Sequence, residues 1–207
     1  VGTGNPIREE FLHVRRSDAL FQKFGLDPRR RTILVFGGSK GASVITDQIL
    51  YARHLIAQNG ELQVLLITGS EAAETSIRAE MEASGVRNVA VVDYVEEMGA
   101  AFAIADLVVC RAGATSLAEI TSCGKASLLV PWREAADDHR WQNARALEAE
   151  HACRLADEDA IVHHGLVGLI LALIQDEWSL RRLAGNAGRI GRRQAESLIL
   201  GEIQALM

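Results

Sequence analysis

Three stretches of this chain carry residue types suited to holding an anion or a hydroxyl-rich ligand. The first is Phe36-Gly37-Gly38-Ser39-Lys40-Gly41-Ala42, placed between an apolar run and a helical one. Glycines there let backbone amides close on an anion, the helix N-terminus adds partial positive charge, and Ser39 adds a hydroxyl donor. The spacing is neither that of a Walker A loop nor that of a dinucleotide-binding Gly-x-Gly-x-x-Gly loop. A tight strand-to-helix turn that simply needs glycine accounts for the same residues.

The second stretch is Arg111-Ala112-Gly113-Ala114-Thr115-Ser116-Leu117-Ala118-Glu119. Ser116-x-x-Glu119 fits a helix capping box. Alternatively, Glu119 faces a cleft and accepts hydrogen bonds from ligand hydroxyls, as acidic residues do for ribose. On these residues alone the capping reading leads. The third stretch follows Pro131-Trp132 and includes Asp137-Asp138-His139-Arg140-Trp141-Gln142-Asn143. So dense a polar cluster straight after an apolar strand suits a ligand loop better than a surface filler. His139 is a residue type that suits acid–base chemistry, but a histidine at a helix start also serves as a cap. Asp137 and Asp138 read as helix N-terminal caps rather than metal ligands, and the other histidines show no ligand spacing with cysteines or acids. The expectation is no metal.

These loops need elements to hold them. Short apolar runs recur at Ile33–Phe36, Val64–Ile67, Val89–Val92, Leu107–Cys110, Ser127–Val130 and, more weakly, Cys153–Ala156. Near-continuous apolar character, rather than alternation, marks strands buried on both faces of a parallel sheet. Amphipathic stretches lie between them: Ile45, Ile49, Ala52 and Ile56 share one helical face, as do Ile77, Met81 and Ser84. The expected fold is α/β, a doubly wound, Rossmann-like parallel sheet of about six strands. About three helices are expected to follow the last strand, from Val162 to Leu206. Ahead of the first strand, Ser17 is placed to cap a short helix that Gly25 and Asp27-Pro28 end.

With 207 residues, 48% of them hydrophobic and 24% charged, the chain can fill a core and is not dominantly disordered. A net charge of −5 and a pI near 5.7 argue against a general nucleic-acid binder. Cys110, Cys123 and Cys153 are widely spaced and odd in number, as buried thiols of a reducing compartment are. No apolar run approaches the roughly 20 residues of a membrane span. The opening Val1-Gly2-Thr3-Gly4-Asn5-Pro6 lacks a methionine and reads as a loop, so the expectation is a piece cut from something longer.

Five motifs in order resemble the donor-binding half of MurG-type N-acetylglucosaminyltransferases, peptidoglycan enzymes of the glycosyltransferase B fold. They are Gly4-Asn5-Pro6-Ile7-Arg8, Gly37–Ala42, Asp93-Tyr94-Val95-Glu96-Glu97-Met98, Arg111–Ile120 and Asp137–Ala144. The resemblance covers most of the chain to about residue 156, and the C-terminal helices agree in type only. It implies that Gly38, Ser39, Lys40, Gly41 and Arg8 hold the diphosphate of UDP-GlcNAc. Tyr94 and Val95 receive the uracil, and Glu119 accepts the ribose hydroxyls, which reverses the capping preference. Ala114, Thr115, Glu119, His139 and Arg140 line the sugar pocket. Lys40 and Arg140 depart from the family pattern, where glutamine or another uncharged residue is common. These two added cations bear on sugar contacts more than on nucleotide binding.

The resemblance further implies one lobe of a two-lobed enzyme. Residues 1–16 are an interdomain linker remnant and lead-in segment, residues 17–161 the UDP-GlcNAc-binding domain, and residues 162–207 helices packing on the same domain. The family's reaction is an inverting transfer of GlcNAc to the 4-hydroxyl of lipid-linked muramoyl-pentapeptide, lipid I, on the cytoplasmic membrane face. It uses no cofactor, no nucleic-acid partner and no essential metal. Acceptor site and general base belong to the N-terminal domain, so this chain is expected to bind UDP and UDP-GlcNAc with little activity alone. The alternatives are a stand-alone nucleotide-sugar-binding subunit of a two-chain transferase and a UDP-GlcNAc epimerase-like enzyme. A dehydrogenase fails on its glycine pattern and on Thr68-Gly69-Ser70 after the second strand. Arg181, Arg182, Arg189, Arg192 and Arg193 form a basic stretch, a solvated face first and a lipid or interdomain contact second.

Overall fold

The computed structural model describes residues 3–37, 42–131 and 138–206. Six strands form one fully parallel sheet: β1 (Arg31–Phe36), β2 (Leu62–Ile67), β3 (Val89–Val92), β4 (Leu107–Cys110), β5 (Ser127–Leu129) and β6 (Arg154–Leu155). Their order across the sheet is β3-β2-β1-β4-β5-β6. The connection therefore reverses direction between β1 and β4, where Ile33 pairs with Leu107 and Phe36 with Cys110. That is the switch point of a doubly wound sheet, and in such sheets ligands bind beside it, outside the carboxyl ends of the strands. The expected weak last strand is real but shorter than the Cys153–Ala156 run.

Alternate residues of each strand feed two separate cores, as the twofold repeat of a strand requires. Ile33 and Val35 of β1 join Val64, Leu66, Leu107 and Val109 on one face. Leu34 and Phe36 join Leu65, Ile67, Val108 and Cys110 on the other. Over the first face lie α3 (Ala42–Tyr51), α4 (Arg53–Ala57), α5 (Glu71–Ala83), α10 (Leu166–Gln175) and α11 (Glu177–Ile190). Over the second lie α1 (Glu10–His13), α2 (Asp18–Lys23), α6 (Met98–Ile104), α7 (Ala114–Cys123) and α8 (Asp138–Ala149). Every core strand is thus covered twice, which is why its sequence shows no polar alternation.

Several local expectations change. The face Ile45, Ile49, Ala52, Ile56 does pack on the first core, but Ala52 sits at a break that separates α3 from α4. Ser84 ends α5 and is exposed, its hydroxyl accepting from Arg53 Nε at 2.8 Å, instead of joining Ile77 and Met81 in the core. Ser17 has the extended backbone of a cap residue, but its side chain makes no capping hydrogen bond to α2. Four helices, not three, follow the last strand: α9 (Glu158–His164), α10, α11 and α12 (Ala195–Ala205). Gly165, at φ +67°, turns the chain between α9 and α10, a conformation a side-chain-bearing residue rarely adopts.

The C-terminal arginines do not form one basic face. Arg181 pairs with Glu177, and Arg182 stacks 4.4 Å over Trp178, both on α11. Arg193 lies beyond that helix and donates to the Ser122 carbonyl at 2.7 Å, fastening the turn before α12 to the end of α7.

Candidate functional site at the sheet switch point

α7 begins earlier than a capping box at Ser116 requires. Its N-cap is Gly113, whose carbonyl already accepts from Leu117 N–H at 2.9 Å. This phase turns Leu117 and Ile120 into the second core. Glu119 then falls in the second turn, too deep to cap anything, and the capping reading is corrected. Glu119 is 7% exposed. Among the described residues its carboxylate has no hydrogen-bond donor; Arg8 Nη2, at 3.9 Å, is its ion-pair partner. Burial pushes the carboxyl up to about 7, Arg8 pulls it down, and Glu10 pushes it up. A carboxylate left without donors in a buried place costs stability unless a ligand supplies them.

Arg8 reaches the site from the irregular segment before α1. Its Nη1 donates to the Glu96 carbonyl at 3.2 Å, its Nη2 lies 3.2 Å from Glu10 Oε1, and its guanidinium stands 5.2 Å over Phe11. The N-terminal segment, the loop after β3 and α7 therefore meet at Arg8. In that loop Tyr94 is 69% exposed, whereas the Val95 side chain is buried in the second core. Only the backbone of Val95 is then available to a ligand, with the Tyr94 ring free in solvent beside it. Ala114 and Thr115 are exposed in the first turn of α7.

Arg111 donates to the Val130 carbonyl at 3.2 Å, which ties the loop leaving β4 to the end of β5. Arg140, half-buried, stands in the first turn of α8. Gly38, Ser39, Lys40 and Gly41 lie outside the described residues, as do Asp137 and the side chains of Asp138 and His139. The structure thus brings together Arg8, the Tyr94–Val95 loop and Glu119. One participant escaped the sequence reading: Glu10, which joins Arg8 to Gly99 at the start of α6. Its position two residues after Arg8 was the available signal. Among the described residues no group of three or more histidines, cysteines or acids is arranged to hold a metal, and no helix is long and apolar enough to cross a membrane.

Comparison with known proteins bears on the family and the fold. The transferase of Chlorobium luteolum named UDP-N-acetylglucosamine--N-acetylmuramyl-(pentapeptide) pyrophosphoryl-undecaprenol N-acetylglucosamine transferase is 38% identical over 201 residues, covering 97% of this chain and 53% of its own length. The protein of the same name from Chlorobaculum tepidum is 39% identical over 204 residues, covering 99% and 54%. The chain therefore spans about half the length of the curated relatives it matches. In fold it is similar to the crystal structure of Acinetobacter baumannii MurG, with a TM-score of 0.75 and 22% identity over 96% of this chain and 55% of that one. It is also similar to the Neisseria meningitidis UDP-GlcNAc 2-epimerase bound to UDP-GlcNAc, with a TM-score of 0.63 and 15% identity over 91% and 48%. At such identities the two structures speak for the sheet and its helices alone, the arrangement of a glycosyltransferase B lobe. The family assignment rests on sequence: residues 32–197, from the start of β1 into α12, match the glycosyltransferase family 28 C-terminal domain, and to that family this chain belongs.

Proposed function

We propose that this chain is the donor-binding lobe of an inverting N-acetylglucosaminyltransferase of the MurG type, and that the crevice at the β1/β4 switch point holds UDP-GlcNAc. The observation that carries the reading is Glu119: a buried carboxylate without a hydrogen-bond donor, beside a guanidinium, at the place where doubly wound sheets bind nucleotides. The two ribose hydroxyls would supply the missing donors. The loop 38–41 and Arg8 would take the diphosphate, where negative charge grows as the glycosidic bond breaks. The uracil would lie on the loop of Tyr94 and Val95, and Ala114, Thr115, His139 and Arg140 would surround the GlcNAc.

In the reaction so assigned, the 4-hydroxyl of a lipid-linked muramoyl-pentapeptide attacks the anomeric carbon from the face opposite UDP. The bond from that carbon to the diphosphate oxygen breaks, UDP leaves with the electron pair, and the hydroxyl proton passes to a base outside this chain. The acceptor, that base and the contact with the cytoplasmic membrane face are assigned to the remaining half of the length seen in the relatives. In this reading residues 1–16 lead in from that half, residues 17–161 bind the donor, and residues 162–207 buttress the sheet. Donor binding requires no cofactor.

The test is a calorimetric titration of this chain with UDP, UDP-GlcNAc and UDP-GalNAc, repeated with Glu119→Ala. Binding of UDP and UDP-GlcNAc, weakened about tenfold to a hundredfold by the substitution, supports the reading. No heat with UDP at millimolar concentration, or full affinity in Glu119→Ala, refutes it. Conversion of UDP-GlcNAc to its epimer by this chain would move the assignment to the epimerases of similar fold.

A further inference from the structure

A half-exposed arginine on an irregular segment ordinarily samples many rotamers, and ordering it costs side-chain entropy. Arg8 is nevertheless held at four points, by the Glu96 carbonyl, Glu10, Glu119 and the Phe11 ring. Glu10 is itself fixed. Its Oε1, the atom that faces Arg8 at 3.2 Å, also accepts the Gly99 N–H at 3.2 Å. Its main chain lies so close to Gly99 that a Cβ there would come within 2.8 Å of the Glu10 carbonyl oxygen.

We propose that Glu10 is a positioning residue of the donor site: by taking the Gly99 N–H and the Arg8 guanidinium on one carboxylate oxygen, it sets that guanidinium beside Glu119 rather than in solvent. The proposal rests on the donor reading for its functional meaning, because the group it serves is the proposed ribose acceptor.

Glu10 acts on Glu119 in two ways of opposite sign. Its own negative charge, close by, disfavours a second carboxylate. Its hold on Arg8 keeps a positive charge there, which favours that carboxylate. Of the two neighbours, Arg8 has the larger influence on Glu119. The other titratable groups acting electrostatically with Glu119 among the described residues are the thiols of Cys110, at the end of β4, and Cys123, on α7 itself. Burial raises both, so they stay neutral where Glu119 titrates. The direction in which Glu119 moves on loss of the Glu10 charge therefore separates positioning from simple repulsion.

Glu10→Gln is the variant to use, because a glutamine oxygen still accepts from Gly99 N–H while the ion pair to Arg8 is lost. The titration midpoint of Glu119 is read by carboxylate carbon NMR on this chain without ligand, its signal assigned by its disappearance in Glu119→Gln. Glu10→Gln is expected to raise the midpoint by roughly half a pH unit, less than Arg8→Gln, because the repulsion from Glu10 is lost together with its hold on Arg8. In the Arg8→Gln background, Glu10→Gln should lower it. A lowered or unchanged midpoint in Glu10→Gln alone overturns the proposal. A second measurement, UDP affinity against pH, should show its midpoint moving up in step with the NMR value; a pH profile that stays put while UDP still binds also overturns it. If the parent chain binds no UDP, the donor reading fails, and the ligand-free titration still decides the role of Glu10.

Discussion

Arg8 and Glu119 face each other at 3.9 Å, the first on the segment before α1 and the second on the inner side of α7. That distance is long for a charge-assisted hydrogen bond, which runs to about 2.9 Å. The pair is thus a loose ion contact in which the carboxylate keeps unfilled acceptor positions. Such a site is poised: the carboxylate is largely withdrawn from water yet its oxygens stay reachable, so a ligand bringing hydroxyl donors can complete it.

This poise has a measurable cost. The Glu119 carboxyl is raised from about 4.5 to about 7, chiefly by burial. Between those values the folded chain holds more proton than the unfolded one, so stability falls as pH rises, and the penalty is complete above about 7. Glu119→Gln removes that penalty. It is expected to raise unfolding stability at pH 8 by about 2 kcal/mol, with the gain shrinking to nothing near pH 4, while weakening UDP binding. Urea unfolding at the two pH values, beside calorimetry with UDP, checks both halves. Equal stability of the two chains at pH 8 would contradict the burial that raises this carboxyl.

Two glycines near the end of α11 should respond to alanine in opposite directions. Gly191 follows the helix, and a Cβ there would come within 2.3 Å of the Thr121 carbonyl oxygen and 2.8 Å of the Ser122 nitrogen, both backbone atoms of α7. No side chain can rotate away to make room, so Gly191→Ala should destabilise the chain by about 1–3 kcal/mol. Gly185 lies in the interior of the same helix, exposed, with nothing within 4 Å of its Cβ position. Gly185→Ala should stabilise by about 0.5–1 kcal/mol through helix propensity alone. Thermal unfolding of the pair separates the close approach of α11 to α7 from a generic glycine effect.

The strands were legible because burial on both faces of the sheet leaves a simple mark, a short apolar run such as Leu107–Cys110. What such runs do not carry is their order; nothing in Ile33–Phe36 says that its neighbours are β2 and β4. Motif-level reading misjudged the helix phase around Glu119. Ser116-x-x-Glu119 has the local grammar of a cap, but the phase of α7 is set by Leu117 and Ile120 turning into a core that only the folded sheet creates. The break at Gly165 was missed because its positive φ is a property of the turn it occupies, not of its neighbours. Glu10 was missed as a participant because, although it follows Arg8 by two residues, the contact that fixes it is to Gly99, distant in sequence.

The three cysteines should be poor nucleophiles in the folded chain. Cys110 and Cys153 are 0% and 1% exposed. Burial pushes the Cys110 thiol far up, Cys153 up to about 12, and the half-buried Cys123 up to about 11. Since the thiolate is the reactive form, a disulfide reagent at pH 8 should modify none of them quickly, and Cys123 first. All three should react within the mixing time after denaturation. Fast native reaction of Cys110 would mean that the second core opens at the end of β4.

Gly99 joins fold and site in a single substitution. Alanine there would press its Cβ to 2.8 Å from the Glu10 carbonyl oxygen and 3.0 Å from the carbonyl carbon, so α1 and α6 must part. The strain should cost about 1–3 kcal/mol of stability. Because Glu10 also holds Arg8, the separation should disturb the site as well. The expected result is a destabilised chain in which the Glu119 titration midpoint moves up and UDP affinity above pH 7 falls. A destabilised variant on the opposite face of the sheet, Met81→Ala on α5, should leave that midpoint where it was. If both variants shift Glu119 alike, the change follows from general loosening of the fold; if only Gly99→Ala does, the docking of α1 on α6 is what keeps Arg8 beside Glu119.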